Sequence, residues 1–283
     1  MPRTSPGKGR SLELRDLISI AREAGDALAR DFGKKELSEV VGVGCCGDET
    51  VRADRLAEEI VLKRLGEIGN IEVISEEAGR VLFGKPEYRV VLDPLDGSSN
   101  YARGIPVFSV SMEVLTMPTN EPSMAVIYEP MRRRTFWAER GRGAYLDGSR
   151  IQTNRERPFE ECLFDMDLHT AADKARFIKF VDAFRRFGLS LKSFRSLGSC
   201  AVSLAYTACG TLDGFLDFSK NSRMVDIAAG LVILHEAGGI ATDIHGKPIE
   251  EGYESVIACS SQQINLKIRK LLRGETSPRE QPA

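Results

Sequence analysis

The apolar run Val90-Val91-Leu92 passes straight into Asp93-Pro94-Leu95-Asp96-Gly97-Ser98, which sets two carboxylates on one turn. Pro94 has no N–H to give to a sheet ladder, so the strand is expected to end there. Gly97 opens backbone conformations that a larger residue resists. Between the two acids, the carbonyl of Leu95 supplies a further oxygen. Hard cations such as magnesium take this kind of donor set, carboxylate plus carbonyl with water completing the shell. The Gly97-Ser98 step adds N–H and hydroxyl donors suited to phosphate oxygens. Alone, the string equally fits a surface turn in which Ser99 and Asn100 cap the next segment of chain. Three other acidic segments keep it company: Ile74-Ser75-Glu76-Glu77, Asp48-Glu49-Thr50-Val51-Arg52-Ala53-Asp54, and Asp226 inside the apolar run Val225 to Leu231. Asp226 on its own is equally an ordinary first-turn acid of a helix.

The elements that carry these acids can be read from periodicity. Leu14, Leu17, Ile18, Ala21, Ala24, Leu28 and Phe32 recur at helical spacing, with Ser11 placed to cap the helix. The glycine-rich stretch 33–47 reads as a loop, and a second helix is expected over 53–65. Strands are expected at 71–74, 89–92, 107–115, 124–128, 135–138 and 144–146. Beyond them, strands at 162–168, 189–194, 214–218, 240–242 and 255–258 alternate with helices at 174–187, 199–208, 227–237 and 262–272. The first half is α+β and the second α/β. A boundary in the charged segment near 155 gives an α+β domain, 1–155, with most of the acids, and an α/β domain, 156–283, with Asp226. The ends, 1–10 and 275–283, read as tails.

Composition narrows the function. Lys and Arg number 39 against 41 Asp and Glu, a formal net charge of -2, which argues against a general nucleic-acid binder. No run of about 18 apolar residues suggests a membrane span. The polar start Met1 to Arg10 lacks a signal-peptide core, so a cytoplasmic location is expected. The six cysteines, Cys45, Cys46, Cys162, Cys200, Cys209 and Cys259, show no CxxC and no zinc spacing. Cys45-Cys46 is either a redox-sensitive pair or two incidental thiols. His169, His235 and His245 all lie away from the motif serine, which leaves no histidine-activated nucleophile in view.

In this order the four acidic blocks, the last running from Asp226 to Glu236-Ala237-Gly238-Gly239, resemble the inositol monophosphatase superfamily, the lithium-sensitive phosphatases. The resemblance covers about 12–270 and is strongest to the archaeal-type branch, which hydrolyses both fructose 1,6-bisphosphate and inositol monophosphate. It implies a layered αβαβα sandwich of the sugar phosphatase type, a homodimer, and a role in carbohydrate metabolism such as gluconeogenesis. It implies that Glu76, Asp93, Asp96 and Asp226 ligate Mg2+ through side chains and Leu95 through its carbonyl, with two or three ions per site. Asp54 would help hold the more mobile ion and orient water. Ser98 stands where many relatives have threonine, and its hydroxyl would partner Asp54 in activating that water. Such a site suits phosphate monoesters, dianions that repel a nucleophile until their charge is neutralised.

For the rest of the substrate, the resemblance places Asp96, Gly97, Ser98, Gly198, Ser199 and Cys200 around a small phosphorylated sugar or polyol, with Asp217 bonding a hydroxyl. A Gly- and Ser-bearing helix start permits such an approach, and it equally serves plain helix packing. Lys220-Asn221-Ser222-Arg223 is more basic than in many relatives, and Val225 stands where they carry tryptophan. With Arg195, Arg223 offers guanidinium to a second phosphate, which favours a bisphosphate; a solvated basic loop is the other reading. The segment Gly42 to Asp48 also departs from the related pattern. The alternatives are a phosphatase for a 3'-phosphorylated adenosine nucleotide, or a non-catalytic relative. The second conflicts with the presence of all five carboxylates and the Ser98 hydroxyl. Neither nucleic acid nor membrane is an expected partner.

Overall fold

The computed structural model describes residues 10–45, 49–167, 178, 181, 184–185, 188–218 and 223–274. Asp48, Cys46, His169, Lys220-Asn221-Ser222, most of the helix expected at 174–187 and nearly all of both tails lie outside the described residues.

Helix α1 (Leu14–Asp31) buries Leu17, Ala21, Ala24 and Leu28 of the expected stripe, leaves Leu14, Ile18 and Phe32 partly buried, and buries Ile20 in addition. Ser11 does not cap it. The cap is Glu13, whose N–H donates to Asp16 Oδ2 at 3.0 Å, while the Ser11 hydroxyl meets Tyr88 Oη at 3.1 Å. The expected loop at 33–47 is partly sheet: β1 (Val40–Val43) pairs antiparallel with β2 (Glu49–Val51). Its valines favour strand; the glycines around them hide it from pattern reading. Helix α2 (Arg52–Ile68) comes next.

Strands β3 (Ile71–Ser75), β4 (Gly79–Phe83) and β5 (Tyr88–Asp96) lead through a short helix, α3 (Ser98–Ala102), to a meander. The meander comprises β6 (Ser109–Thr116), β7 (Glu121–Glu129), β8 (Arg134–Glu139), β9 (Gly143–Leu146) and β10 (Ser149–Ile151). Together they make an eight-stranded sheet, ordered β10-β9-β8-β7-β6-β5-β3-β4. β5 does not stop at Pro94. The register slips between Asp93 opposite Ser111 and Asp96 opposite Ser109, and this bulge spares Pro94 the ladder bond it cannot make.

The remaining elements are β11 (Leu163–Asp167), β12 (Ser193–Arg195), α4 (Cys200–Ala208), β13 (Gly214–Asp217), α5 (Met224–Glu236), β14 (Ile240–Thr242), β15 (Val256–Cys259) and α6 (Gln262–Arg273). Of the strand expected at 189–194 only Ser193 and Phe194 pair, within β12; Gly188–Ser190 forms a 3-10 turn. The second sheet is ordered β12-β11-β13-β15-β14. Its residues alternate: Phe215, Val256 and Ala258 pack with α4 and α5, whereas Leu216, Ile257 and Cys259 pack with α6.

The layers are therefore α1 and α2, the larger sheet, α4 and α5, the smaller sheet, and α6, which is the αβαβα sandwich that the family resemblance implies. α4 and α5 pack so closely that a Cβ on Gly230 would lie 2.6 Å from Leu204 Cβ. No helix among the described residues is long and apolar enough to cross a membrane.

Candidate active site

β3 and β5 run parallel with Ser75 opposite Leu92, and the N–H of Glu76 donates to the Leu92 carbonyl at 3.2 Å. That register brings Glu76 and Asp93 side by side at the carboxyl ends of β3 and β5, the one parallel pair among the described strands of this sheet. α5, packed on the opposite face from α1 and α2, delivers Asp226 in its first turn. Carboxylate oxygens of Glu76, Asp93 and Asp226 all lie within 4.8 Å of one another. Asp93 is held by the N–H of Leu95 at 3.0 Å, and Asp226 by the N–H of Arg223 at 2.7 Å. The Arg223 guanidinium donates to Glu76 Oε1 and lies 3.7 Å from Asp226 Oδ1.

Asp96 faces the start of α4. It accepts from the hydroxyls of Ser199 and Ser109 and from the N–H groups of Cys200 (3.1 Å) and Ala201 (3.2 Å). These donors favour the carboxylate, yet burial still pushes its pKa up to about 7. Burial, then repulsion from Glu76, raises Asp226 to about 8, with Arg223 opposing. Asp93 is raised for the same reasons, burial first, then Glu76, Asp96 and Asp226. Asp54 reaches about 8 through burial and repulsion from Glu77 and Glu76, against an N–H donated by Val51 at 2.6 Å. Carboxylates gathered at this cost form a donor set that a divalent cation would relieve. Their all-oxygen chemistry fits a hard ion such as Mg2+.

A cleft of about 400 Å³ opens over the acids. It is lined by the expected Glu76, Asp93, Leu95, Asp96, Gly97, Ser98, Gly198, Cys200, Arg223 and Asp226. Gly97, at φ 91°, heads α3; a Cβ there would sit 3.0 Å from the Val107 carbonyl. Asn100 donates to the carbonyls of Val107 (2.8 Å) and Leu197 (2.7 Å), which holds the approach to α4 against the acidic turn. Asn100 is thus a clamp between segments far apart in sequence, beyond any capping of its own.

Four expected residues do not line the cleft. Asp54 is buried in the first turn of α2, and Ser199 is buried as the α4 cap, with Val202 N–H donating to its Oγ at 3.4 Å. Asp217 is buried at the end of β13. Arg195 is exposed and donates to Ser193 Oγ and the Phe194 carbonyl. Conversely, Glu49 and Asp167 line the cleft although the sequence motifs do not single them out. Asp167 ends β11, where Asp165 already breaks the apolar run, so the signal that marks Asp93 is weaker here; it accepts from the Cys200 thiol at 3.7 Å. Cys45 also reaches this end of the molecule, where its thiol donates to the Glu76 carbonyl at 3.0 Å.

Residues 13–276 match the inositol monophosphatase family. The fructose-1,6-bisphosphatase/inositol-1-monophosphatase of Thermococcus kodakarensis is 39% identical over 82% of this chain and 84% of its own. The fructose-1,6-bisphosphatase of Pyrococcus furiosus is 38% identical over 85% of this chain and 90% of its own. Among solved structures, the extragenic suppressor protein suhB of Bartonella henselae superposes with a TM-score of 0.84 at 28% identity, covering 93% of this chain and 99% of that one. The chain belongs to the inositol monophosphatase family of phosphatases.

Proposed function

We propose that the chain is a Mg2+-dependent phosphomonoesterase that hydrolyses fructose 1,6-bisphosphate and inositol monophosphate by attack of water. The observation that carries this reading is the convergence of Glu76, Asp93 and Asp226 within 4.8 Å beside the Gly97-Ser98 turn. The names of the Thermococcus and Pyrococcus relatives supply the substrates. Glu76, Asp93, Asp96 and Asp226, with the Leu95 carbonyl, would hold two or three ions. When bound, Mg2+ lowers the pKa of a coordinated water and neutralises charge on the phosphate. The backbone N–H groups at Gly97 and Ser98 receive phosphate oxygens. Ser98 Oγ with the Asp54 carboxylate would orient the attacking water; burial and repulsion from Glu77 and Glu76 favour protonated Asp54 until a cation offsets that repulsion.

Gly198, Ser199, Cys200 and Asp217 would surround the alcohol, and Arg223 with Arg195 would serve a second phosphate. Cytoplasmic homodimers, lithium sensitivity and a division into domains 1–155 and 156–283 belong to the same proposal. The two sheets support that division, since the larger ends at Ile151 and the smaller begins at Leu163. A phosphate-release screen with Mg2+ tests the function on fructose 1,6-bisphosphate, inositol 1-phosphate and adenosine 3',5'-bisphosphate. Release from the first two supports it. Release from the adenosine nucleotide alone, or from none, overturns it.

A further inference from the structure

A second concavity of about 600 Å³ runs along α5, lined by none of the residues that line the acidic cleft. Its floor is apolar: Met224, Ala228, Leu231, Val232 and Ile249 all face it. Set among them is Glu113, on β6, only 6% exposed. Among the described residues its carboxylate has no hydrogen-bond or ion-pair partner, and it opens onto the groove. The other charged side chains of the wall are engaged or exposed. Arg140 pairs with Glu121 at 2.8 Å, Glu236 accepts the N–H groups of Gly141 and Gly143, each at 2.8 Å, and His235 stands exposed at the end of α5. Burial is the one cause that pushes Glu113 up to about 7, with no neighbouring charge offsetting it.

A carboxylate only 6% exposed, opening onto an apolar groove with no protein partner, is costly to ionise. The volume is that of a small-molecule site, with mostly apolar walls and a few polar groups, of which Glu113 is the buried one without a partner. We propose that this groove binds a small amphipathic organic cation, whose ammonium meets the Glu113 carboxylate while its apolar body lies along α5. The pairing supplies the counter-charge that Glu113 lacks, and the apolar body covers the half-buried faces of Met224, Leu231 and Val232. The inference does not depend on the phosphatase reading, because Glu113 takes no part in the acidic cleft.

Calorimetry on the full chain tests it with two probes, 4-phenylbutylamine and its neutral isostere 4-phenylbutan-1-ol. The amine is expected to bind at least about tenfold more tightly than the alcohol, the scale of one charge-assisted hydrogen bond. Glu113→Gln and Glu113→Leu are each expected to erase that preference, and Asp93→Asn to leave it intact. Equal binding of the two probes overturns the proposal, as does undetectable amine binding or a preference that survives both Glu113 variants. A preference lost in Asp93→Asn would place the amine in the acidic cleft and overturn it as well. Should one Glu113 variant fail to fold, the other carries the comparison.

Discussion

The guanidinium of Arg223 pairs with the carboxylate of Glu76, although 147 residues separate them in the chain. The pair ties the first turn of α5 to the end of β3, the two elements that bring Asp226 and Glu76 together. A cation binding Glu76 must share that carboxylate with Arg223 or release it, and a released guanidinium is free to meet an incoming phosphate.

Arg223→Ala is therefore expected to act in two directions. Mg2+ should bind severalfold more tightly by calorimetry, because a competing positive charge is gone. The KM for fructose 1,6-bisphosphate should rise by roughly tenfold, and that for inositol 1-phosphate much less, since only the bisphosphate offers a second group for bidentate contact. Equal losses on both substrates would contradict this role.

Stability should depend on pH in an unusual direction. Asp54 and Asp226 are raised to about 8 and Asp96 to about 7, from an ordinary value of about 3.9 in the unfolded chain. Groups raised in this way contribute stability that is fully present below about pH 4 and is lost as pH climbs through 7 to 8. In EDTA, the melting temperature should fall between about pH 5 and pH 9. Added Mg2+ should raise it more at about pH 8.5 than at about pH 5.5, because the ion binds the ionised form. Thermal unfolding at the two pH values, with and without Mg2+, checks both; an equal Mg2+ effect would contradict the cluster's role.

Ser199→Ala removes two bonds at one stroke, the hydroxyl donated to Asp96 and the cap accepted from Val202 N–H. Losing a cap and a buried hydrogen bond costs about 1–3 kcal/mol. Urea unfolding should show a lower midpoint with an unchanged slope. A midpoint like that of the native protein would mean that Asp96 is held adequately by the Cys200 and Ala201 N–H groups.

Glu76, Asp93 and Asp226 are legible in the sequence because each interrupts or follows an apolar run, which a plain core gives no reason to keep; Asp54 is marked only by its acidic segment. Their convergence is not. It depends on the parallel register that sets Ser75 opposite Leu92, and on α5 packing across the larger sheet, both of which are long-range facts. Pro94 misleads in the other direction, because a bulge removes the ladder bond that a proline would break. The β1 strand is hidden by the glycines around Val40 to Val43, β4 by Gly79, Arg80 and Gly84 at its ends, and β10 is only three residues long. Arg223 is visible as a loop charge, while its partner Glu76 is not, since nothing local links them. Asp167 ends a strand too, but Asp165 breaks the apolar run before it and no motif surrounds it, so it escapes notice.

The convergence of Glu76, Asp93 and Asp226 is tested most directly by phosphate release from fructose 1,6-bisphosphate, with and without Mg2+, on the native chain and on Asp93→Asn. Asp93 is buried at the centre of the acids, and the substitution removes its charge while nearly keeping its shape. The expected result is Mg2+-dependent release by the native chain and a loss of roughly a hundredfold or more in the variant. Release that needs no divalent ion, or that Asp93→Asn leaves unchanged, would contradict a metal site built on these three carboxylates.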